Sequence, residues 1–248
     1  MKTYYEESSK TKLVRRMPVI IRLDGRAFHT FTKGMKRPFD SVFGLTMHET
    51  MRDLCEGVQG CVLGYTQSDE ITLVLVDYQN LETSAWFDYE VQKIVSIAAS
   101  MATLSFNSHF AFNIAEYLDS DEDFKKYSEK INKAMFDARA FNIPKEEVTN
   151  CVFWRQKDAE RNSVLSVAQS VMSQKRMNGK KVKDLLPILK DEFGIDWQND
   201  IPPQYQRGSC CVRGEDGKWT IDLNIPVFVG EGRRYIESRI NFPDPQPE

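Results

Sequence analysis

Apolar positions in the first part of the chain switch between two periodicities. Val19-Ile20-Ile21-Arg22-Leu23 and the stretch from Cys61 to Val76 are apolar, β-branched runs. They read as buried strands, the second folded into two about a polar Gln67-Ser68-Asp69-Glu70 turn. From about Phe39 to Val58, the residues Phe43, Met47, Met51, Leu54, Cys55 and Val58 recur at helical spacing and give one buried face, closed by Gly57 and Gly60. That stripe is core. A long helix is expected from about Leu81 to Phe106, with Val91, Ile94, Val95, Ala98, Met101 and Ala102 on one side, and a strand over Asp137–Ile143 before Pro144. The order strand, helix, strand, strand, helix, strand is the split βαβ plan of a ferredoxin-like antiparallel sheet. The fold class is α+β, with the acidic turn residues at the centre of the sheet on a face free of helices.

From Lys145 to about Gln174 the pattern is helical, and a basic break at Lys175–Lys181 precedes a helix over Val182–Phe193. Turns at Pro202-Pro203 and Gly214-Glu215-Asp216-Gly217 then separate short strands, Ser209–Arg213 and Lys218–Leu223. The expected organisation is a catalytic sheet domain over 1–144 with a helical and mixed region, 145–248, packed on it. No repeat or low-complexity tract interrupts either part.

Composition narrows the class. The 248 residues are 41% hydrophobic and 28% charged, the balance of a folded globular chain. No apolar stretch approaches the roughly 20 residues needed to span a bilayer, and the start lacks an apolar signal core. Cys55, Cys61, Cys151, Cys210 and Cys211 form an odd set without metal-like spacing, so reduced thiols in a cytoplasmic protein are expected. With only His29, His48 and His109, a structural zinc site is improbable. A net charge of −3 argues against a globally basic nucleic-acid binder. Local clusters remain at Lys10–Arg16, at Lys33, Lys36 and Arg37, and at Lys175, Arg176, Lys180, Lys181 and Lys183. Each is a solvated face unless something anionic meets it.

The chemistry concentrates where the strands end. Asp24 closes one apolar run, and Asp69 and Glu70 sit at the turn of the other. Asp-Gly and Ser-Asp-Glu are also ordinary turn signals. Side by side in one sheet, however, the carboxylates make hard oxygen ligands suited to Mg²⁺, and two-metal phosphoryl or nucleotidyl transfer follows. Gly25 permits close backbone approach, and the loop Gly25-Arg26-Ala27-Phe28-His29 offers N–H groups to a triphosphate, with Lys36 and Arg37 nearby. Asp40 reads first as a helix N-cap. Lys93 lies off its helix's apolar stripe and reads as plain solvent exposure. His29 is open between a ligand contact and a satisfied loop histidine.

Arg-Leu-Asp-Gly-Arg-x-Phe-His, Lys-Arg-Pro-x-Asp, Gly-Tyr-x-Gln-Ser-Asp-Glu and Trp-Arg-Gln-x-Asp, in this order from Pro18 to Asp158, resemble the motifs of the tRNA(His) guanylyltransferase family of 3′–5′ polymerases. The resemblance implies a polymerase-like palm, two Mg²⁺ ions, ATP and GTP or other nucleoside triphosphates as substrates, tRNA as partner, and a homotetramer. It implies metal binding by Asp24, Asp69 and the carbonyl of Gly25, with Glu70 at the site. It places His29, Arg37, Asp40, Ser68 and Lys93 on nucleotide-binding positions, which moves Asp40 and Lys93 off their plain readings. Arg155 and the Lys180, Lys181, Lys183 cluster are the expected RNA contacts. Where eukaryotic members carry His-Ile-Asn-Asn-Leu-Tyr-Asn-Thr, this chain has Glu160-Arg161-Asn162-Ser163-Val164-Leu165-Ser166-Val167. It therefore resembles the bacterial and archaeal branch that repairs 5′-truncated tRNAs by templated addition. A tRNA(His)-specific enzyme, another palm enzyme such as a nucleotide cyclase, and a non-enzymatic RNA-binding module are the alternatives. The last has no need for both Asp24 and Asp69.

Overall fold

The structure, a computed structural model, describes residues 1–242, apart from the side chain of Lys2. Its centre is a six-stranded sheet made of β1 (Val19–Gly25), β2 (Cys61–Gln67), β3 (Glu70–Leu75), β4 (Phe136–Asn142), β5 (Ser209–Arg213) and β6 (Trp219–Asp222). The spatial order is β4-β1-β3-β2-β5-β6, and every pair is antiparallel. The first four strands have the ferredoxin-like arrangement that the element order predicts. The last two come from beyond residue 144 and extend the same sheet past β2.

A short α1 (Glu7–Ser9) precedes β1, and a single turn, α2 (Phe28–Phe31), follows it. Two long helices, α3 (Ser41–Gly57) and α4 (Val91–Tyr117), cover one face, and α5 (Asp121–Ser128) leads from α4 toward β4. Val19, Ile21 and Leu23 of β1 and Ile71, Leu73 and Leu75 of β3 are fully buried in one apolar cluster with Met51, Leu54, Ala98 and Phe106 of these helices. Alternation places Ile20, Arg22 and Asp24 on the opposite face.

That opposite face is not free of helices, contrary to the expectation. α6 (Val148–Val171) crosses it and is followed by α7 (Gln174–Met177), α8 (Val182–Phe193), α9 (Trp197–Asp200), α10 (Pro203–Arg207) and, after β6, α11 (Arg234–Ile240). Ile20 and Val74 pack there against Val148 and Val152 of α6 and Ile236 and Ile240 of α11. An apolar half-strand cannot stay in water, so helices cover its Ile20 end. Only the polar end, with Arg22, Asp24 and Glu70, stays part-open.

The long helix runs Val91–Tyr117 instead of Leu81–Phe106. Its buried stripe continues through Phe106, Phe110 and Ile114. The polar Asn107, just past the expected end, is turned inward, donating to the Ala134 carbonyl at 3.0 Å and accepting from the Ala134 N–H at 3.2 Å. At the other end, Trp86–Tyr89 forms a separate 3-10 turn with Trp86 and Tyr89 buried. No helix among the described residues is long and apolar enough to cross a membrane.

Candidate active site

The register of the sheet assembles the site. Asp24, near the end of β1, stands directly opposite Glu70 on β3 and Asp137 on β4, so three carboxylates lie in a row on one face. One pleat repeat further in, Arg22 stands opposite Arg139 and Thr72. Asp69 occupies the β2–β3 turn, and its carbonyl accepts the Gly25 N–H at 3.0 Å, which ties the two strand ends together. Ser68 takes a left-handed conformation (φ 49°) in that turn and donates its hydroxyl to Asp69 Oδ1 at 2.9 Å.

Burial raises the Asp69 carboxyl above the usual carboxylate range, and the Asp24 charge adds to this; the Ser68 hydrogen bond opposes it. Burial likewise raises Glu70, against the lowering influence of Arg155 and Arg22. Asp24 and Asp69 are thus near enough for the charge of Asp24 to act on the Asp69 carboxyl. Among the described residues no group of three or more His, Cys, Asp or Glu side chains is arranged to hold a metal ion. Mg²⁺, however, commonly takes one or two carboxylates and completes its shell with water and substrate phosphates. An all-oxygen set of two mutually repelling carboxylates and the Gly25 carbonyl fits that cation.

Gly25 is required by close approach. A Cβ built there would lie 2.4 Å from the Phe28 ring. That ring cannot yield, because it is wedged against Phe31 (4.9 Å between centroids), Phe136 (5.1 Å) and Phe106 (5.4 Å). Gly25→Ala is expected to cost about 1–3 kcal/mol, a fall of roughly 2–12 °C in the thermal midpoint. An unchanged midpoint by calorimetry would show that the aromatic cluster absorbs the methyl group.

The rest of the loop differs from the expected open row of N–H groups. The Arg26 N–H donates to Met135 O at 2.8 Å, as Gly25 does to Asp69, so Ala27, Phe28 and His29 are left to offer theirs. Ala27 is left-handed (φ 56°), which starts α2, and the Phe28 side chain belongs to the core. His29 is exposed, touches the Thr30 hydroxyl at 3.1 Å, and is near enough to Asp69 to lower its carboxyl.

His29 and Ser68 open into a cleft of about 360 Å³ bounded by Lys36, Arg37 and Asp40 on one side, α3 beneath, and Asn162 and Ser166 of α6 on the other. Asp40 is the N-cap of α3, accepting from the Phe43 N–H at 2.8 Å, and it also accepts from Lys36 N–H at 3.0 Å and from the Tyr127 hydroxyl. Its carboxylate therefore holds the Lys36–Phe39 loop in shape. Lys93 is not brought here. It lies on the first turn of α4, 3.8 Å from Glu90. Thr103 of the same helix reaches Phe136 at the active end of the sheet, so Lys93 lies about 15 Å back along the axis.

The Trp154-Arg155-Gln156-x-Asp158 motif divides its labour. Arg155, expected at an RNA-facing surface, is instead mostly covered: its Nε lies 3.1 Å from Glu70 Oε1, without hydrogen-bond alignment, and its guanidinium bonds Asp158. A raised, half-buried Glu70 needs that cation. Gln156 is buried and clamps the C-terminal segment, donating to Pro226 O at 2.9 Å and accepting from Phe228 N–H at 3.0 Å. Trp154 is left 69% exposed. Lys180, Lys181 and Lys183 stand exposed around the start of α8, away from the cleft. Sequence reasoning passed over His48, whose Nε2 meets Ser209 Oγ at 2.6 Å across the cleft's inner end. A partner 161 positions away leaves no local signal.

This arrangement has relatives. The sequence model described as tRNAHis guanylyltransferase matches residues 1–144. An uncharacterised protein of Acanthamoeba polyphaga mimivirus is 30% identical over 72% of this chain and 64% of its own length. A probable tRNA(His) guanylyltransferase of Homo sapiens is 26% identical over 89% of this chain and 73% of its own. Among solved structures, a bacterial tRNA(His) guanylyltransferase-like protein in complex with ATP superposes with a TM-score of 0.87, at 37% identity over 97% of both chains. The Saccharomyces cerevisiae tRNA(His) guanylyltransferase, 19% identical, shares the fold at a TM-score of 0.67 over 90% of this chain and 96% of its own. The chain belongs to the tRNAHis guanylyltransferase family, a family of nucleotidyltransferases.

Proposed function

We propose that the protein is a template-dependent 3′–5′ nucleotidyltransferase that restores nucleotides at the 5′ end of truncated tRNA. The observation that carries this is the meeting of Asp24 and Asp69 at tied strand ends, next to Ser68 and His29, which line a cleft edged by Lys36 and Arg37. One bacterial relative is a complex with ATP and another a complex with GTP, the second at a TM-score of 0.75 and 34% identity over 96% of each chain.

In this reading a 5′-monophosphate oxygen of the RNA attacks the α-phosphorus of ATP. Pyrophosphate leaves and the end is adenylylated. The 3′-hydroxyl of an incoming nucleotide then attacks the RNA 5′-phosphorus, AMP leaves, and its proton passes to solvent. A 5′-triphosphate end reacts directly, with loss of pyrophosphate. Asp24, Asp69 and the Gly25 carbonyl would hold Mg²⁺, which when bound would supply Lewis-acid neutralisation of charge on the phosphoryl oxygens. Ser68 fixes the Asp69 carboxylate by its hydrogen bond. His29, with Lys36 and Arg37, meets the triphosphate at the mouth of the cleft. Arg155 holds Glu70 beside Asp24, so the chain's part is positioning and electrostatics.

The test is direct. The protein is incubated with a tRNA lacking its first nucleotide, labelled nucleoside triphosphates and Mg²⁺, and the label is mapped. Label at the 5′ end supports the reading, and label at the 3′ end or none overturns it. The exposed Lys180, Lys181 and Lys183 are read as phosphate contacts. Replacing all three with Gln is expected to weaken tRNA binding and to flatten the slope of log affinity against log salt by about 2–3, near one counterion per lost contact. An unchanged slope makes that cluster a solvated face only. Homotetramer assembly belongs to the same reading, supported by exposed Ile97, Leu104 and Phe112 on α4, and light scattering on the purified protein decides it.

A further inference from the structure

The inner end of the cleft is built differently from its mouth. Lys36, Arg37 and His29 line the outer part, whereas α3 carries the cleft inward from Asp40 to His48 over about 12 Å. That span suits a nucleoside triphosphate lying along the helix with its phosphates outward. Phe39 and Tyr205, which line the cleft on its Asp40 side, stack at 4.6 Å with their rings 7° from parallel, and toward the inner end the buried Met47 lines it next to His48.

His48 closes this end. Its Nε2 is 2.6 Å from Ser209 Oγ, and Ser209 is itself 1% exposed at the start of β5, opposite Thr66 on β2. Ser209 cannot move away without breaking that strand pairing. Burial pushes the imidazole down to about 4, so the ring is neutral at physiological pH. A neutral imidazole has one donor and one acceptor nitrogen, and a hydroxyl has both capacities. Whichever way the bond between them runs, the pair retains one donor and one acceptor. Such a pair offers its donor to the N7 acceptor that every purine presents; its acceptor meets the amino group beside N7 in adenine, whereas the guanine edge, with N7 and O6 both acceptors, takes the donor alone.

Resting on the nucleotide-binding reading above, we propose that His48, anchored by Ser209, is a base-reading residue of this cleft that receives the edge of a purine nucleoside triphosphate. Its role is discrimination between bases, and the reacting phosphates lie at the other end.

Equilibrium binding of ATP, GTP and CTP, each with Mg²⁺, to the full chain tests this. The wild type is expected to favour purines over CTP. His48→Ala should weaken the preferred purine by roughly 3- to 10-fold while leaving CTP little changed, the loss of one to two neutral hydrogen bonds. His48→Gln, whose amide again has a donor and an acceptor, should restore much of the preference. Ser209→Ala, a smaller change that keeps the fold, should weaken purines in the same sense and carries the test if His48→Ala fails to fold. Equal loss for all three nucleotides, or no change in the ratio, overturns the assignment while leaving the nucleotide site standing. If the wild type binds none of them, the nucleotide reading itself fails. A wild type without purine preference removes this inference alone.

Discussion

Asp24→Ala and Asp69→Ala are each expected to lower nucleotide addition by about a thousandfold or more, with the fold intact. Removing one ligand from a catalytic cation site forfeits several kcal/mol of transition-state charge stabilisation, and each 1.36 kcal/mol is a factor of ten in rate. The structural side of the expectation is as definite. The Asp69 carboxylate makes one side-chain hydrogen bond, to its neighbour Ser68. Its carboxyl is raised by burial and by Asp24. A carboxyl that is harder to ionise folded than unfolded subtracts from stability once pH is above its unfolded value, and the cost vanishes as pH falls below it. At neutral pH, Asp69→Ala should therefore leave the thermal midpoint unchanged or slightly higher, and the difference from wild type should shrink on acidification. Near-normal turnover in either variant, with unchanged circular dichroism, sinks the metal assignment. Lost activity together with lost ellipticity points to a structural role instead.

Much of this site is legible in the sequence because its parts are local. The β1 and β3 strands announce themselves as β-branched runs, and the turn that holds Asp69 breaks one of them. The cap at Asp40 is equally local, a polar residue just before a helical stripe. What was not legible depends on contacts distant along the chain. Nothing near Ile20 says that α6 and α11 will cover its face. Of the two strands beyond residue 144, β5 pairs with β2, with Ser209 opposite Thr66, and β6 pairs with β5, contacts no periodicity encodes. Asn107, just past the expected helix end, shows only its polarity in the sequence, and its inward bonds to Ala134 are not visible there. Arg155 looks like a surface cation for the same reason, although the raised Glu70 claims it. Lys93, a position matched by family resemblance, lies on the first turn of α4, about 15 Å along the axis from the active end of the sheet.

The choice of nucleotide is expected to follow the template base and to ignore the anticodon. The eukaryotic His-Ile-Asn-Asn-Leu-Tyr-Asn-Thr segment corresponds to Glu160–Val167, which falls on α6. Most of it is spent on structure here. Ser163 accepts the Trp197 indole N–H at 2.9 Å, Val164 and Val167 are buried in the cluster formed with α8, and Glu160 pairs with Lys157 at 3.0 Å. Asn162, Ser163 and Ser166 of this segment line the cleft, and Arg161 is exposed. Three short polar side chains lack the reach to read a tRNA identity, whereas Watson–Crick pairing with the acceptor strand specifies the base without any side-chain code. A mispaired base leaves one or two buried hydrogen-bonding groups unmet, at roughly 1–3 kcal/mol, so the wrong nucleotide should be added about ten- to a hundredfold more slowly. Rates are compared on 5′-truncated tRNAs that differ only in anticodon or only in the templating base. Changing the templating base should switch the nucleotide added, and changing the anticodon should alter the rate by less than about twofold, since no group in the cleft is placed to sense it. Guanosine addition regardless of template would assign the chain to the tRNA(His)-specific activity. A strong anticodon preference would locate the reader elsewhere, with exposed Trp154 and the lysines around α8 the first surfaces to substitute.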